Sequence, residues 1–203
     1  RHLEEANHLL MNFVSGYPYN RLTGDAYFKL GEIHFIKEDY SNAVWYYRKA
    51  ISRVYDPQLG PQVSYKEAIA QQKLGRPGKA IDALERIPRE HLRGPLAVRI
   101  YSFWAKLLRD EGRSPALPAL GLYNIYRLWE NEGSPPAAPW IIAEAEVDRW
   151  LEDWISLPPE EGTGEIKALQ KKMKGSPAGI YPRMKLAVHW WEEGAGKKAK
   201  PIL

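Results

Sequence analysis

The chain of 203 residues is 44% hydrophobic and 12% aromatic, which is enough apolar material to bury a core of its own. Because it contains no cysteine, disulfide bonds, thiolate metal sites and a cysteine nucleophile are excluded. Its formal charge of +4 is spread among acidic residues, which indicates a solvated surface rather than a nucleic-acid interface, and no apolar run approaches the roughly 20 residues of a transmembrane helix.

The first predicted element is a helix from Leu3 to Val14. Ala6, Leu10 and Phe13 lie at helical spacing and form its stripe, and a turn at Gly16–Tyr19 follows. One helix alone cannot bury such a stripe well. We therefore expect this segment to be the second half of a helical hairpin whose first half lies upstream.

The most informative stretch runs from Gly24 to Pro57 and predicts two helices joined by a turn. Small and apolar residues recur at helical spacing in both halves, first at Tyr27, Leu30, Gly31, His34 and Phe35, then at Ala43, Tyr47, Ala50, Ile51 and Val54. Lys37 to Asp39 form the polar turn, and Ser41 is the predicted N-cap of the second helix. Asp56-Pro57 ends that helix, because proline lacks a backbone donor and clashes with the preceding turn.

This unit resembles the tetratricopeptide repeat (TPR), a helix-turn-helix of about 34 residues. The resemblance rests on an aromatic residue, a Leu-Gly pair, an alanine, an aromatic residue and a second alanine, here Tyr27, Leu30-Gly31, Ala43, Tyr47 and Ala50. His34 stands where the family usually has tyrosine. The resemblance implies that the small residues lie where two antiparallel helices approach closely, with the aromatic rings beside them.

Two further hairpins follow with looser matches. One is predicted from about Gln62 to Pro88, with its turn at Leu74–Pro77. The next opens at Gly94-Pro95, which places proline in the first helical turn, and its first helix ends at Glu111-Gly112. Its partner helix is predicted at Pro115–Glu132.

The strongest predicted boundary is the proline-rich segment 133–139. Residues 140–174 read as a degenerate fourth hairpin, and 176–199 return to the repeat pattern. We therefore expect TPR-like hairpins over 1–136, the first of them truncated, and the two remaining hairpins over 137–203. Together they would form one continuous all-α, right-handed superhelical solenoid of about five hairpins, with a concave inner face.

No arrangement of residues predicts catalysis, a metal site or a cofactor. The Glu5-Ala6-Asn7-His8 spacing occurs in carboxylate-bridged metal sites, but such sites need a second copy, which is lacking. There is neither a phosphate-binding glycine loop nor a Gly-x-Ser-x-Gly elbow. Tryptophans at helical spacing are typical of a core rather than of a ligand cage. We predict a protein that is not an enzyme and binds no cofactor.

The TPR resemblance implies that the first helix of each hairpin lines the inner face. The candidate partner-binding residues are Phe28, Glu32, Phe35, Tyr65, Lys66, Ile69, Lys73, Arg99, Phe103, Lys106 and Arg109. Aromatic rings mixed with cations suit a protein or peptide that is partly apolar and partly acidic. The Lys/Asn clamp that captures C-terminal carboxylates in some family members is not reproduced.

The segment Gly24–Ile33, which follows a Tyr-Pro turn, resembles bacterial cell-envelope TPR proteins in particular. These include outer-membrane-assembly lipoproteins, Tol-system coordinators and penicillin-binding-protein activators. The resemblance implies a scaffold fragment of a larger periplasmic or envelope protein, although a cytoplasmic location stays open, as does the oligomeric state. The alternative is a helical accessory domain of a lytic-transglycosylase-like enzyme that contacts peptidoglycan. A nucleic-acid-binding repeat is a weaker third reading.

Overall fold

The computed structural model describes residues 2–54, 56–113, 115, 117, 118, 121, 122, 125, 194 and 197 of the chain. Within these residues the protein is helical and has no strand, so the predicted all-α class is confirmed for this part. The helices are α1 (His2–Gly16), α2 (Thr23–Ile36), α3 (Tyr40–Ile51), α4 (Leu59–Lys73), α5 (Pro77–Glu85) and α6 (Gly94–Asp110), with a short 3₁₀ helix at Arg89–His91.

The chain divides into two compact units, Arg1–Leu96 and Ala97–Leu203. In the first unit each helix packs on its neighbour in the chain, so that α2 pairs with α3, α4 pairs with α5, and α1 and α3 contact the helices that follow them. The predicted helix at Pro115–Glu132 is described only at isolated positions, which are helical at Leu117, Pro118, Gly121, Leu122 and Ile125. The predicted boundary at 136/137 and the hairpins beyond it lie outside the described residues, apart from residues 194 and 197.

Helix α2 is buried on two sides, which places the core of the first unit around it. One buried cluster joins α2 to α3 and α4 and consists of Phe28, Ala43, Val44, Tyr47, Ala50, Val63 and Ala70. A second cluster joins α2 to α1 and consists of Val14, Ala26 and Leu30. An apolar stripe on a single face of α2 therefore does not describe this helix.

The same turn ends α2, α4 and α6. Glu38, Gly75 and Gly112 have φ of 60°, 68° and 65°, and they follow one another at intervals of 37 residues. In each turn the next residue donates its N–H to the carbonyl five positions earlier, as in Asp39 to His34, Arg76 to Gln71 and Arg113 to Leu108, at 2.8 to 3.0 Å. This bonding is that of a Schellman motif, which favours glycine at the left-handed position. The constant interval indicates that the three helix-turn units are structural repeats.

Helix α3 begins at a different N-cap from the predicted Ser41. Asp39 has a non-helical ψ of 67°, and its carboxylate accepts a hydrogen bond from the backbone N–H of Asn42 at 3.3 Å. The same carboxylate lies 2.9 Å from Nδ1 of His34. The prediction was wrong because Ser41 already lies inside the helix, whereas an N-cap residue needs non-helical backbone angles.

The closest approach between α2 and α3 occurs at Gly31. A Cβ atom there would lie 2.5 Å from the Cδ1 and Cε1 ring carbons of Tyr47, which is fully buried. The positions one and two repeats later, Ala68 and Ala105, are small and fully buried as well. The predicted role of Gly31 as a point of close approach is confirmed.

In the second unit a similar fit is made with the roles exchanged. Here the glycine lies in the later segment, at Gly121, and a Cβ atom on it would overlap the ring of Tyr101. Tyr101 is buried and stacks on Trp104 with ring centroids 6.3 Å apart. The ring-against-glycine contact is therefore found in both units.

Gly31→Ala tests this contact. We expect it to lower the free energy of unfolding by about 1–3 kcal/mol, because the new methyl group overpacks against the Tyr47 ring. Gly78→Ala is the matched control: its Cβ meets no atom within 4 Å, so helix propensity should leave stability unchanged or raise it by up to about 1 kcal/mol. Urea unfolding of both variants measures the difference, and equal stabilities would contradict the packing.

Asp39→Asn tests the cap electrostatics. Hydrogen bonds from Asn42 and then from His34 hold the pKa of the Asp39 carboxyl below its ordinary value of 3.8. A carboxyl whose pKa is lower in the folded state stabilises the fold above pH 3.8, and this contribution disappears as pH falls through the folded pKa. Since asparagine can still cap the helix, thermal melts should show a stability gap between wild type and variant that narrows on acidification. A gap independent of pH would contradict this account.

Candidate functional site

The first helices of two consecutive hairpins, α2 and α4, present side chains to each other. The Nζ atom of Lys66 on α4 lies 2.8 Å from Oε2 of Glu32 on α2 and 5.6 Å from the centre of the Phe35 ring. The Lys66 stem thus crosses from one helix to the other. These three predicted residues are brought together by the fold.

Exposed groups flank this contact along the same helices. Ile36, four residues after Glu32, is 62% exposed, and Lys73, seven residues after Lys66, is exposed. Ile69 lies between the two lysines and is half-buried. Residues three, four or seven apart share one side of a helix. We call this set the α2–α4 surface: Glu32, Phe35, Ile36, Lys66, Ile69 and Lys73.

A buried tyrosine supports the α2–α4 surface from beneath. The hydroxyl of Tyr47 donates a hydrogen bond to Oε1 of Glu32, while Oε2 of the same carboxylate pairs with Lys66. Burial, followed by this hydrogen bond and the negative charge of Glu32, raises the pKa of the Tyr47 phenol. The phenol therefore stays protonated and remains a donor, which fixes the orientation of Glu32.

The remaining predicted contact residues fall into three groups. Phe28 is only 5% exposed and packs on Tyr47 with ring centroids 5.9 Å apart, so in this structure it belongs to the core and not to the contact surface. Tyr65 is half-buried on α4. In the second unit, α6 carries a half-buried aromatic residue and three exposed cations at spacings of three or four, namely Phe103, Arg99, Lys106 and Arg109.

Sequence reasoning missed a buried carboxylate on α4, that of Glu67, the residue after Lys66. Glu67 is 0% exposed; its Oε1 lies 2.7 Å from Nε of Arg48 on α3, and its Oε2 lies 3.0 Å from Nη2 of Arg86 at the end of α5. Both arginine side chains are 54% exposed. The 37-residue interval could have revealed the burial of Glu67, because the residues 37 positions before and after it, Leu30 and Trp104, are apolar and buried.

An exposed indole lies on α3 beside Arg48. Trp45 is 50% exposed, and the ammonium of Lys49 lies 5.2 Å from the centre of its ring. Trp45 also contacts the ring of Tyr46 edge-on at 4.8 Å. Large aromatic residues that are both exposed and paired with cations are typical of contact surfaces.

An open cleft of about 730 Å³ lies in the first unit between the α3–α4 connection and the segment that precedes α6. Its lining includes Asp56, Glu90, His91 and Arg93. In the described part of the chain, no group of three or more histidines and acids is arranged to hold a metal ion. None of the helices that the structure describes is both long and apolar enough to cross a bilayer.

A double-mutant cycle on Glu32→Gln and Lys66→Gln tests the link between α2 and α4. We expect a coupling free energy of about 0.5 kcal/mol for this half-buried pair, reduced by added salt. The matched cycle pairs Glu32→Gln with Lys73→Gln, for which we expect additive effects because Glu32 pairs with Lys66, which lies two helical turns before Lys73. Chemical unfolding supplies all the values, and identical coupling in both cycles would contradict the observed geometry.

One similar solved structure is the crystal structure of BtubC (BKLC) from P. vanneervenii, which matches with a TM-score of 0.54 and 13% sequence identity. The match covers 99% of this chain and 85% of that chain. No protein-family model matches the sequence, and no curated protein matches it either. At 13% identity the likeness concerns the helical fold alone.

Proposed function

We propose that this chain is a non-enzymatic TPR-like interaction module that holds a peptide or partner protein against the α2–α4 surface. In this proposal the hairpins stack in one sense into a right-handed superhelix, and the first helices line its concave side. Two features support it: the constant 37-residue interval between helix-ending turns, and the close helix approach at Gly31.

The observation that carries the proposal is the contact of Lys66 with Glu32 and Phe35. It links the first helices of two consecutive hairpins through side chains, and in a superhelix a row of such first helices would form a continuous binding surface. Because Lys66 is paired with Glu32, the exposed cation of the α2–α4 surface is Lys73. Ile36 adds exposed apolar area. A peptide carrying apolar residues next to an acid fits this combination.

A bacterial envelope scaffold is the cellular role we propose, on the strength of the Gly24–Ile33 phrase. Such a scaffold places other proteins together and needs no catalytic group of its own. In the described part of the chain, ion pairs such as Arg48–Glu67 and Glu32–Lys66 join neighbouring helices.

Lys73→Glu tests whether peptides bind at the α2–α4 surface. Peptides are first selected from a random-peptide display library on the immobilised wild-type chain, and their affinities are then measured by fluorescence polarisation. We expect Lys73→Glu to weaken the binding of acidic, apolar peptides at least about tenfold. Lys79→Glu on α5 is the matched control, because Lys79 is also exposed and its replacement changes the net charge equally; it should bind like wild type.

Two results would overturn the proposal. Equal affinity of wild type and Lys73→Glu for every selected peptide would exclude the α2–α4 surface as the binding site. Failure to select any peptide, combined with binding of soluble peptidoglycan fragments in the same assay, would favour the accessory domain of a cell-wall enzyme. Melting temperatures of both variants close to that of wild type show that the comparison concerns binding and not unfolding.

A further inference from the structure

The Arg48–Glu67–Arg86 cluster uses a different side of α4 from the α2–α4 surface, because Lys66 and Glu67 are consecutive residues of that helix. Each oxygen of the Glu67 carboxylate is bound by a different arginine. One negative charge therefore faces two positive charges, and the cluster carries a net charge of one positive unit. Both guanidinium groups are therefore held at the same carboxylate, one on each of its oxygens.

Both arginines keep donors available. A guanidinium group has five N–H bonds. In the described part of the chain, Arg48 donates a hydrogen bond to Glu67 from Nε, and Arg86 donates one from Nη2. Each arginine side chain is also 54% exposed, so about half of its surface remains open to solvent. The fully buried Glu67 holds both groups in place, so little side-chain entropy would be lost when an anion binds.

The surface beside this pair is aromatic and basic. Trp45 precedes Arg48 by one turn and carries Lys49 over its ring. Helix α3 contains no acidic residue, whereas α5 contains Asp82 and Glu85 shortly before Arg86. The basic residues of α3, Arg48 and Lys49, therefore lie together in its last turn, next to Trp45.

We propose that Arg48, Arg86 and Trp45 form a second binding site, which takes an acidic segment of a partner protein. The planar forks of the two arginines grip a carboxylate, and the indole of Trp45 contacts a neighbouring apolar side chain. Charge complementarity and the preorganised arginines support this occupant. Arginine and tryptophan are also the residues most enriched among the energetically dominant positions of protein interfaces.

Substituting lysine for both arginines separates binding from folding. The double variant Arg48→Lys/Arg86→Lys keeps an ammonium group for each oxygen of Glu67 but removes the remaining guanidinium donors. The probe is a fluorescein-labelled peptide of alternating glutamate and leucine, compared with the same peptide containing glutamine in place of glutamate. We expect wild type to bind the acidic peptide at least about tenfold more tightly than the glutamine peptide, and the double variant to lose that preference.

Two matched variants locate the effect. Lys79→Gln removes one positive charge from α5 away from the cluster and should bind the acidic peptide like wild type. Trp45→Ala should weaken binding of the acidic peptide by several-fold, because Trp45 supplies the apolar contact. The α2–α4 surface is proposed to take peptides of the same chemistry, so all of these comparisons are made in a Lys73→Glu background. An acidic preference that persists in this background comes from the Arg48–Glu67–Arg86 cluster, which makes failure here distinguishable from failure at the α2–α4 surface.

Three results would overturn the proposal: an unchanged preference in the double variant, equal affinity of wild type for the two peptides, or tighter binding of a single-stranded oligonucleotide that depends on the same arginines. If the double variant unfolds, the wild type alone decides. The ¹⁵N side-chain resonance of Arg48 Nε should move on addition of the acidic peptide and stay unmoved with the glutamine peptide, and a resonance that moves with neither excludes the site.

Discussion

The close approach of α2 and α3 at Gly31 is the constraint from which the α2–α4 surface follows. Because residue 31 has no Cβ, the ring of Tyr47 can lie directly on the backbone of α2. That position brings the Tyr47 hydroxyl to Glu32, the next residue of α2, and Glu32 in turn holds Lys66 of α4 over Phe35. A missing methyl group in the core thereby sets the positions of charged groups on the surface.

The 37-residue interval explains why Glu67 is unusual. Its equivalents in the neighbouring repeats are apolar and buried, so the position itself belongs to the core. A buried carboxylate is costly unless it is paired and hydrogen-bonded, and Arg48 and Arg86 meet this requirement with one hydrogen bond each. An apolar residue at position 67 could fill the same space, but it could not bind both arginines. The charge therefore positions exposed groups rather than adding to the packing of the core.

Local patterns predicted the helices well because helical periodicity and turn chemistry are written in neighbouring residues. The Leu74–Pro77 turn was found in this way, whereas the close approach at residue 31 followed from the TPR resemblance, and both are present in the structure. Phe28 was misplaced because the periodicity of one helix does not show how many neighbours it has, and α2 has buried clusters on two sides. The cap at Asp39 was missed because Asp39 and Ser41 are both good capping residues, and only the backbone angles distinguish them.

The contacts that define the two proposed binding surfaces join residues far apart in sequence, which is why sequence reasoning found only some of their members. Lys66 reaches back 34 residues to Glu32, whereas Glu67 is 19 residues from each of its arginines. Both sets start from adjacent residues of α4, so the rotation of this one helix about its axis determines where each set lies. A rotation that improved one contact would displace the other, since consecutive side chains diverge by about 100° around a helix. The packing of α4 between its neighbours therefore has to satisfy the two surfaces together, and the fully buried alanines at positions 68 and 70 leave the helix little freedom to turn.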